Sequence, residues 1–193
     1  MKNAYLLGPL IMFLFVASSA CRKDPVEAPP QQTNPPGNQP PNVPTNSLHF
    51  ATLSIPRSNV VAAATSTKLI IAGGMKRNEN WPSPALTIVD VYDKTNQIWT
   101  TANLSKPRYN LCAIAHQENV FFAGGLEDDY TKASSRVDIY NATANTWSTA
   151  ELSEARTGII ATAAGNKVVF TGGYYYDANE NLVFSRRVDI YDI

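Results

Sequence analysis

Three arginines, Arg57, Arg108 and Arg156, each close a short segment of one type: LSIPR, LSKPR and LSEAR. A guanidinium presents a planar fork of donors that suits a carboxylate or another anion. Asp90, Asp138 and Asp189 recur as regularly, one for each arginine. Two roles are therefore open to the arginines: gripping an anionic or carboxylate ligand, or satisfying buried backbone and pairing between strands. Recurrence at one place in every repeat favours the internal role. Residues that change between repeats at that place are better ligand candidates, and Tyr109 and Asn110 stand against Ser58 and Asn59, or Thr157 and Gly158.

A second group is aromatic. Trp81, Tyr130, Tyr174, Tyr175 and Tyr176 lie near Glu127, Asp128, Asp129 and Asp177 in polar connecting segments. Rings beside carboxylates grip sugars or a protein partner, because aromatic area comes at a low cost in side-chain entropy; packing against neighbouring units is the alternative. Asp177, Asn179 and Asn181 have the alternating oxygens of a calcium loop, but Leu182 and Val188 stand where that loop needs Gly and Glu. The reading therefore assigns no metal and no cofactor. His49 and His116 are the only histidines, and neither falls into a nucleophile, base and acid pattern, so no catalytic residue is assigned. With 16 basic and 16 acidic residues, the chain has no basic excess to attract nucleic acid.

These residues are positioned by an internal repeat. Gly73–Gly74, Gly124–Gly125 and Gly172–Gly173 each close an apolar run (LIIAGG, VFFAGG, VVFTGG), and the motifs VDVYD, VDIYN and VDIYD follow. Trp99 and Trp147 each come seven residues after the motif tyrosine. From the second glycine to that tyrosine the spacing is 18, 15 and 18, so one connection carries all the variation in length. Each repeat reads as four strands: a small-residue strand (NVVAAATS, NLCAIAH, GIIATAA), the strand ending in Gly-Gly, the VDxY strand, and a short strand starting at Trp. The tryptophans are expected to be buried between neighbouring sheets.

Paired glycines, a spaced Tyr and Trp, and a Pro-Arg turn resemble the kelch repeat, over Leu48 to Ile193. The resemblance implies an all-β fold, a kelch-type β-propeller of about three four-stranded blades, with repeats over 48–104, 105–152 and 153–193. Leu48 to Leu53 aligns as an isolated fourth strand, and the strand order d, abcd, abcd, abc suits closure of a ring by the first strand. Three blades are fewer than the four to eight typical of a ring. The expectation is thus a fragment of a larger propeller or, as the alternative, self-association of two chains into six blades. Alternating strand directions put the arginine segments on one face with the loops Met75 to Pro84, Leu126 to Ser134 and Tyr174 to Phe184. Short hairpin turns occupy the other face.

Ahead of the repeats, Lys2, an apolar run from Ala4 to Val16, and the small residues Ala17 to Ala20 precede Cys21. A charged start, a short apolar core and small residues mark a cleaved export signal and not a membrane span. The segment resembles the lipobox of bacterial lipoproteins, which implies a signal peptide over 1–20 and lipidation of Cys21. Residues 22–47 carry Pro25, Pro29, Pro30, Pro35, Pro36, Pro40, Pro41 and Pro44 without an aromatic residue, a composition that reads as a disordered spacer. Cys112 then has no partner for a disulfide and reads as a small buried filler.

The expected function is a lipid-anchored binding module in the cell envelope, at the outer membrane or the cell surface, whose loop face recognises a protein or glycan. A carbohydrate-active enzyme resembling the sialic acid epimerases is one alternative, and a fragment or assembly element without its own ligand is another. Other kelch-like proteins resemble copper radical oxidases, but the spacing of Cys112 and His116 gives that chemistry no support.

Overall fold

The computed structural model describes residues 50–76, 83–128 and 130–193. The segment read as an export signal, Cys21, the proline-rich segment, His49, Trp81 and Asp129 lie outside the described residues.

The described chain is all-β, with thirteen strands in antiparallel sheets. The first sheet runs β1 (Val61–Ala64), β2 (Lys68–Ala72), β3 (Ile88–Asp93) and β4 (Ile98–Asn103) in simple order. The second repeats it with β5 (Cys112–His116), β6 (Asn119–Ala123), β7 (Arg136–Asn141) and β8 (Thr146–Glu151). In the third, β9 (Ile160–Ala164) and β10 (Lys167–Thr171) pair with β13 (Val188–Asp192). Thus the small-residue, Gly-Gly, VDxY and Trp segments each form the strand their pattern predicts.

Turn chemistry sets the register. Asp93 Oδ1 accepts from the Thr95 and Asn96 amides between β3 and β4, and Asn141 Oδ1 accepts from Ala144 N at the equivalent turn of the second sheet. Gln97 and Asn145 then take the left-handed conformation that such tight turns require. These turns hold Tyr92 opposite Trp99 and Tyr140 opposite Trp147.

Two hydrophobic cores lie between consecutive sheets. Ile70, Ala72, Val89 and Val91 of the first sheet meet Val120, Phe122 and Tyr140 of the second. Phe121, Ala123, Val137 and Ile139, on the opposite face of the second sheet, meet Val168 and Phe170 of the third. The pleat explains the double use of one sheet, since successive residues point to opposite faces. First strands β1, β5 and β9 neighbour one another, and Ala63, Ala113, Ala115, Ala161 and Ala163 pack there as small side chains that permit close approach.

Three expectations need correction. Residues Phe50–Leu53 form no strand: Ser54 N donates to the Asp90 carboxylate and Thr52 lies near Trp99 and Thr101, so the segment sits against the first sheet without joining a ladder among the described residues. The third variable connection is not a plain loop: β11 (Tyr174–Tyr176) and β12 (Leu182–Phe184) make a hairpin. Aromatic and β-branched runs on either side of an Asp177–Asn181 turn account for it. Asp177 Oδ1 accepts from both the Asn179 and Asn181 amides, so the spacing that resembles a cation loop closes a turn instead. Finally, Trp147 is half-buried beside Tyr140 and Phe122, at centroid distances of 4.9 and 6.0 Å, but Trp99 is exposed, with its ring 5.0 Å from that of Tyr92. Trp99 lies on the face of the first sheet that no described sheet covers.

Candidate functional site

The site grows from the arginine segments. Each guanidinium is fully enclosed and reaches back into its own repeat. Arg57 Nε donates to Gly73 O at 2.9 Å, and Nη2 donates to Ile71 O and lies 2.7 Å from Asp90 Oδ2. Arg108 Nη1 donates to Gly124 O and Arg136 O at 2.6 and 2.7 Å, and Nη2 pairs with Asp138. Arg156 Nη2 pairs with Asp189 at 2.6 Å. The second oxygen of each aspartate accepts from the serine amide that opens the same segment: Ser54, Ser105 or Ser153. Every aspartate therefore braces both ends of an LSxxR segment.

Charge follows geometry. Burial pushes the Asp90 and Asp189 carboxyls up, but hydrogen bonds from Ser54 and Arg57, and from Ser153 and Arg156, outweigh it and hold both below the usual carboxylate range. Burial lowers the Arg108 pKa against the pull of Asp138. Of the two roles open to the arginines, the described geometry supplies the internal one. Three rigid posts result, and their guanidinium groups face the interior.

Immediately beyond each post the chain pairs with the variable connection. Ser58 bridges Met75, Tyr109 bridges Leu126, and Thr157 bridges Tyr174. The arginine segments and these connections therefore share one side, as the alternation of strands predicts. Two residues after each arginine come Asn59, Asn110 and Gly158, all with positive φ, at 56°, 51° and 66°. Asparagine and glycine tolerate that left-handed geometry better than other residues.

These three residues, with Val60, Val61, Leu111, Thr157 and Tyr174, line an open groove of about 360 Å³. The main chain stitches its floor: Asn110 N donates to Asn59 O, and Thr157 Oγ1 donates to Asn110 O. The Asn59 and Asn110 carboxamides are exposed and have no hydrogen-bond partner among the described residues. Each offers two donors and an acceptor from a fixed backbone.

The other sequence candidates divide. Tyr109 is buried against Ala85 and Leu126, with Met75 and Ala133 around it, so its ring supports the connection and is not presented at the rim. Tyr174 is half-buried at the groove, with its ring 6.4 Å from those of Tyr176 and Phe184. Tyr175 faces a separate hollow lined by Glu154, Phe184, Arg186 and Arg187. Tyr130 is exposed on the second connection. Glu127 nearby would be raised by burial, but Lys132 and Lys106 hold its carboxyl below the usual range. Asn59 is the groove residue that composition alone does not single out. Its signal is its place, two residues after an arginine, matching Asn110.

His116 Nε2 lies 2.8 Å from Gly165 O and ties the second sheet to a turn of the third. Cys112 is half-buried in the second core, and burial pushes its thiol up to about 11. Among the described residues, no helix is long and apolar enough to cross a membrane. Neither a family model nor a curated protein matches this chain.

Proposed function

We propose that this protein is a kelch-type propeller module, tethered through Cys21 to a bacterial envelope membrane, whose loop side binds an extracytoplasmic glycan or protein. The lipobox-like segment and the proline-rich spacer supply the tether, and the repeat of Gly-Gly, VDxY and Trp over three like sheets supports the propeller reading. One observation carries the binding role: two carboxamides without partners, held by left-handed backbone, stand beside Tyr174 in an open groove. Carboxamides match the mixed donors and acceptors of sugar hydroxyls, and a tyrosine ring supplies an apolar face, so the groove favours the glycan.

Screening the full chain against glycan and protein arrays tests this. Asn110→Gly removes the carboxamide but keeps a residue at ease with positive φ, and Gly158 already fills the equivalent place. A ligand of the groove is expected to lose about fivefold in affinity, since one lost hydrogen bond to an uncharged group is worth about 1 kcal/mol. Trp81→Ala and Tyr175→Ala probe the first and third variable connections. Binding that survives all three substitutions places the ligand elsewhere.

A further inference from the structure

The repeat defines an interface that occurs twice inside the chain and, among the described residues, stands half-made on the outer faces of the first and third sheets. Val61, Ile70, Ala72, Val89 and Val91 of the first sheet, and Cys112, Phe121, Ala123, Val137 and Ile139 of the second, are buried or partly buried by the next sheet. Their equivalents on the third sheet are Ile160, Val169, Thr171, Val188 and Ile190. Among the described residues nothing covers them, and Ile160, Val188 and Ile190 are 72%, 56% and 58% exposed. The opposite end mirrors this. Val120, Phe122, Tyr140 and Trp147 of the second sheet pack toward the first, while their first-sheet equivalents Leu69, Ile71, Tyr92 and Trp99 have no described sheet before them.

The main chain is half-made in the same sense. Gly74 N donates to Arg108 O at 3.0 Å and Gly125 N to Arg156 O at 3.1 Å, whereas Gly173 N has no acceptor among the described residues. Conversely, Arg108 N donates to Leu86 O and Arg156 N to Ser134 O, but Arg57 N and the equivalent acceptor Ser185 O have no main-chain partner among the described residues. A Cβ on Gly73 would meet Arg108 O at 2.5 Å and Leu111 at 2.7 Å, and one on Gly124 would meet Arg156 O and Ile159; one on Gly172 would meet nothing within 4 Å. The space above Gly172 has the place of an arginine carbonyl and a following aliphatic residue. Arg57 and Val60 are that pair in the first repeat, and no described sheet precedes them.

We infer that the open face of the third sheet docks onto the open face of the first sheet of a second copy, with Gly173 N donating to the partner's Arg57 O and Ser185 O accepting from the partner's Arg57 N. The occupant is a second copy because both halves of the interface are present on one chain and each continues an interface already formed within it. Such a contact is head to tail, and two copies exchanging both contacts satisfy all four faces. The inference rests on the sheet faces and not on ligand binding in the groove, whose lining it touches at Val60.

Sedimentation velocity on the full chain at about 0.1 mM populates any association with a Kd below that value, and a particle of two chains is expected. Ile190→Lys blocks one face and Ala62→Lys the other; both positions are exposed within a single chain, so folding measured by circular dichroism is retained. Each variant alone is expected to weaken dimerisation about 100-fold or more by placing an ammonium in an apolar contact. Mixing them restores one unmodified interface, and a mixed dimer reappears. A wild-type monomer at 0.1 mM overturns the inference. Dimers insensitive to either lysine, or no mixed dimer, overturn the head-to-tail pairing. Asn110→Gly leaves dimerisation unchanged, so failure of the groove and failure of the interface are read separately.

Discussion

Arg108 and Asp138, 30 residues apart in sequence, meet in an ion pair whose side chains are 0% and 3% exposed, joining the segment before β5 to the middle of β7. The same guanidinium also donates to the carbonyls of Gly124, Arg136 and Phe122. One side chain thus satisfies three backbone acceptors and one carboxylate where the chain leaves β6. Removing it exposes the cost of everything it satisfies.

Arg108→Ala is therefore expected to destabilise the fold by about 3–5 kcal/mol, the range for breaking a buried pair by deleting one partner. Urea unfolding followed by tryptophan fluorescence measures it. Arg108→Lys is expected to recover little, because an ammonium lacks the fork that serves several acceptors at once. A loss below 1 kcal/mol for Arg108→Ala contradicts the role of the post.

Acid is expected to weaken the fold through Asp90 and Asp189. Both carboxyls have folded pKa values below the usual carboxylate value, so their contribution is complete above the unfolded pKa of about 3.9 and is lost as pH falls through the folded value. Urea midpoints should hold between about pH 5 and 7 and then fall steeply below about pH 4. In the doubly substituted Asp90→Asn, Asp189→Asn protein, stability at pH 7 should be lower and the acid slope shallower.

Gly124→Ala and Gly172→Ala occupy equivalent places with nearly equal φ, 62° and 68°, yet their surroundings differ. The new methyl at 124 would meet Arg156 O and, at 2.5 Å, Ile159 Cδ1, while the one at 172 meets nothing within 4 Å. Both pay for left-handed backbone, about 1 kcal/mol, but only the first adds overpacking of about 1–3 kcal/mol or more. Thermal unfolding of the two variants under conditions that keep the chain monomeric should separate them by several degrees.

Cys112 should be a slow thiol. With its pKa pushed up to about 11 by burial, roughly a thousandth is thiolate at pH 8, against about a quarter at the ordinary value of about 8.5. In a Cys21→Ser background, alkylation of the folded chain by iodoacetamide at pH 8 should run about 100-fold slower than in urea. Equal rates would mean that the second core does not enclose this strand.

Much of the architecture was legible because the repeat states each element three times. LIIAGG, VFFAGG and VVFTGG announce β2, β6 and β10, and the VDxY motifs announce β3, β7 and β13. The β11–β12 hairpin was not legible, because TGGYYYDANENLVF occurs once and nothing in the other repeats matches it. The site was half legible. Spacing placed the arginines and the variable connections on one side, but whether Arg108 faces a ligand or Asp138 depends on which side of a pleat the carboxylate stands. Tyr109 misleads for a related reason: its neighbours Ala85 and Leu126 come from other segments, and only tertiary packing reveals that they enclose the ring. Asn59 was hidden by the ordinariness of asparagine in a turn. The exposure of Trp99 was hidden because its sequence surroundings match those of Trp147, and the two differ only in what stands opposite.

The left-handed backbone at positions 59, 110 and 158 also limits how this protein can diversify. A position that rejects branched and bulky side chains admits a carboxamide, a bare α-carbon and little else without strain. Variation is thus channelled away from these three points and into the neighbouring connections, where the 174–184 hairpin shows how much aromatic content one repeat can add without disturbing the others. Homologous chains should accordingly vary most in those insertions and least at positions 59, 110 and 158.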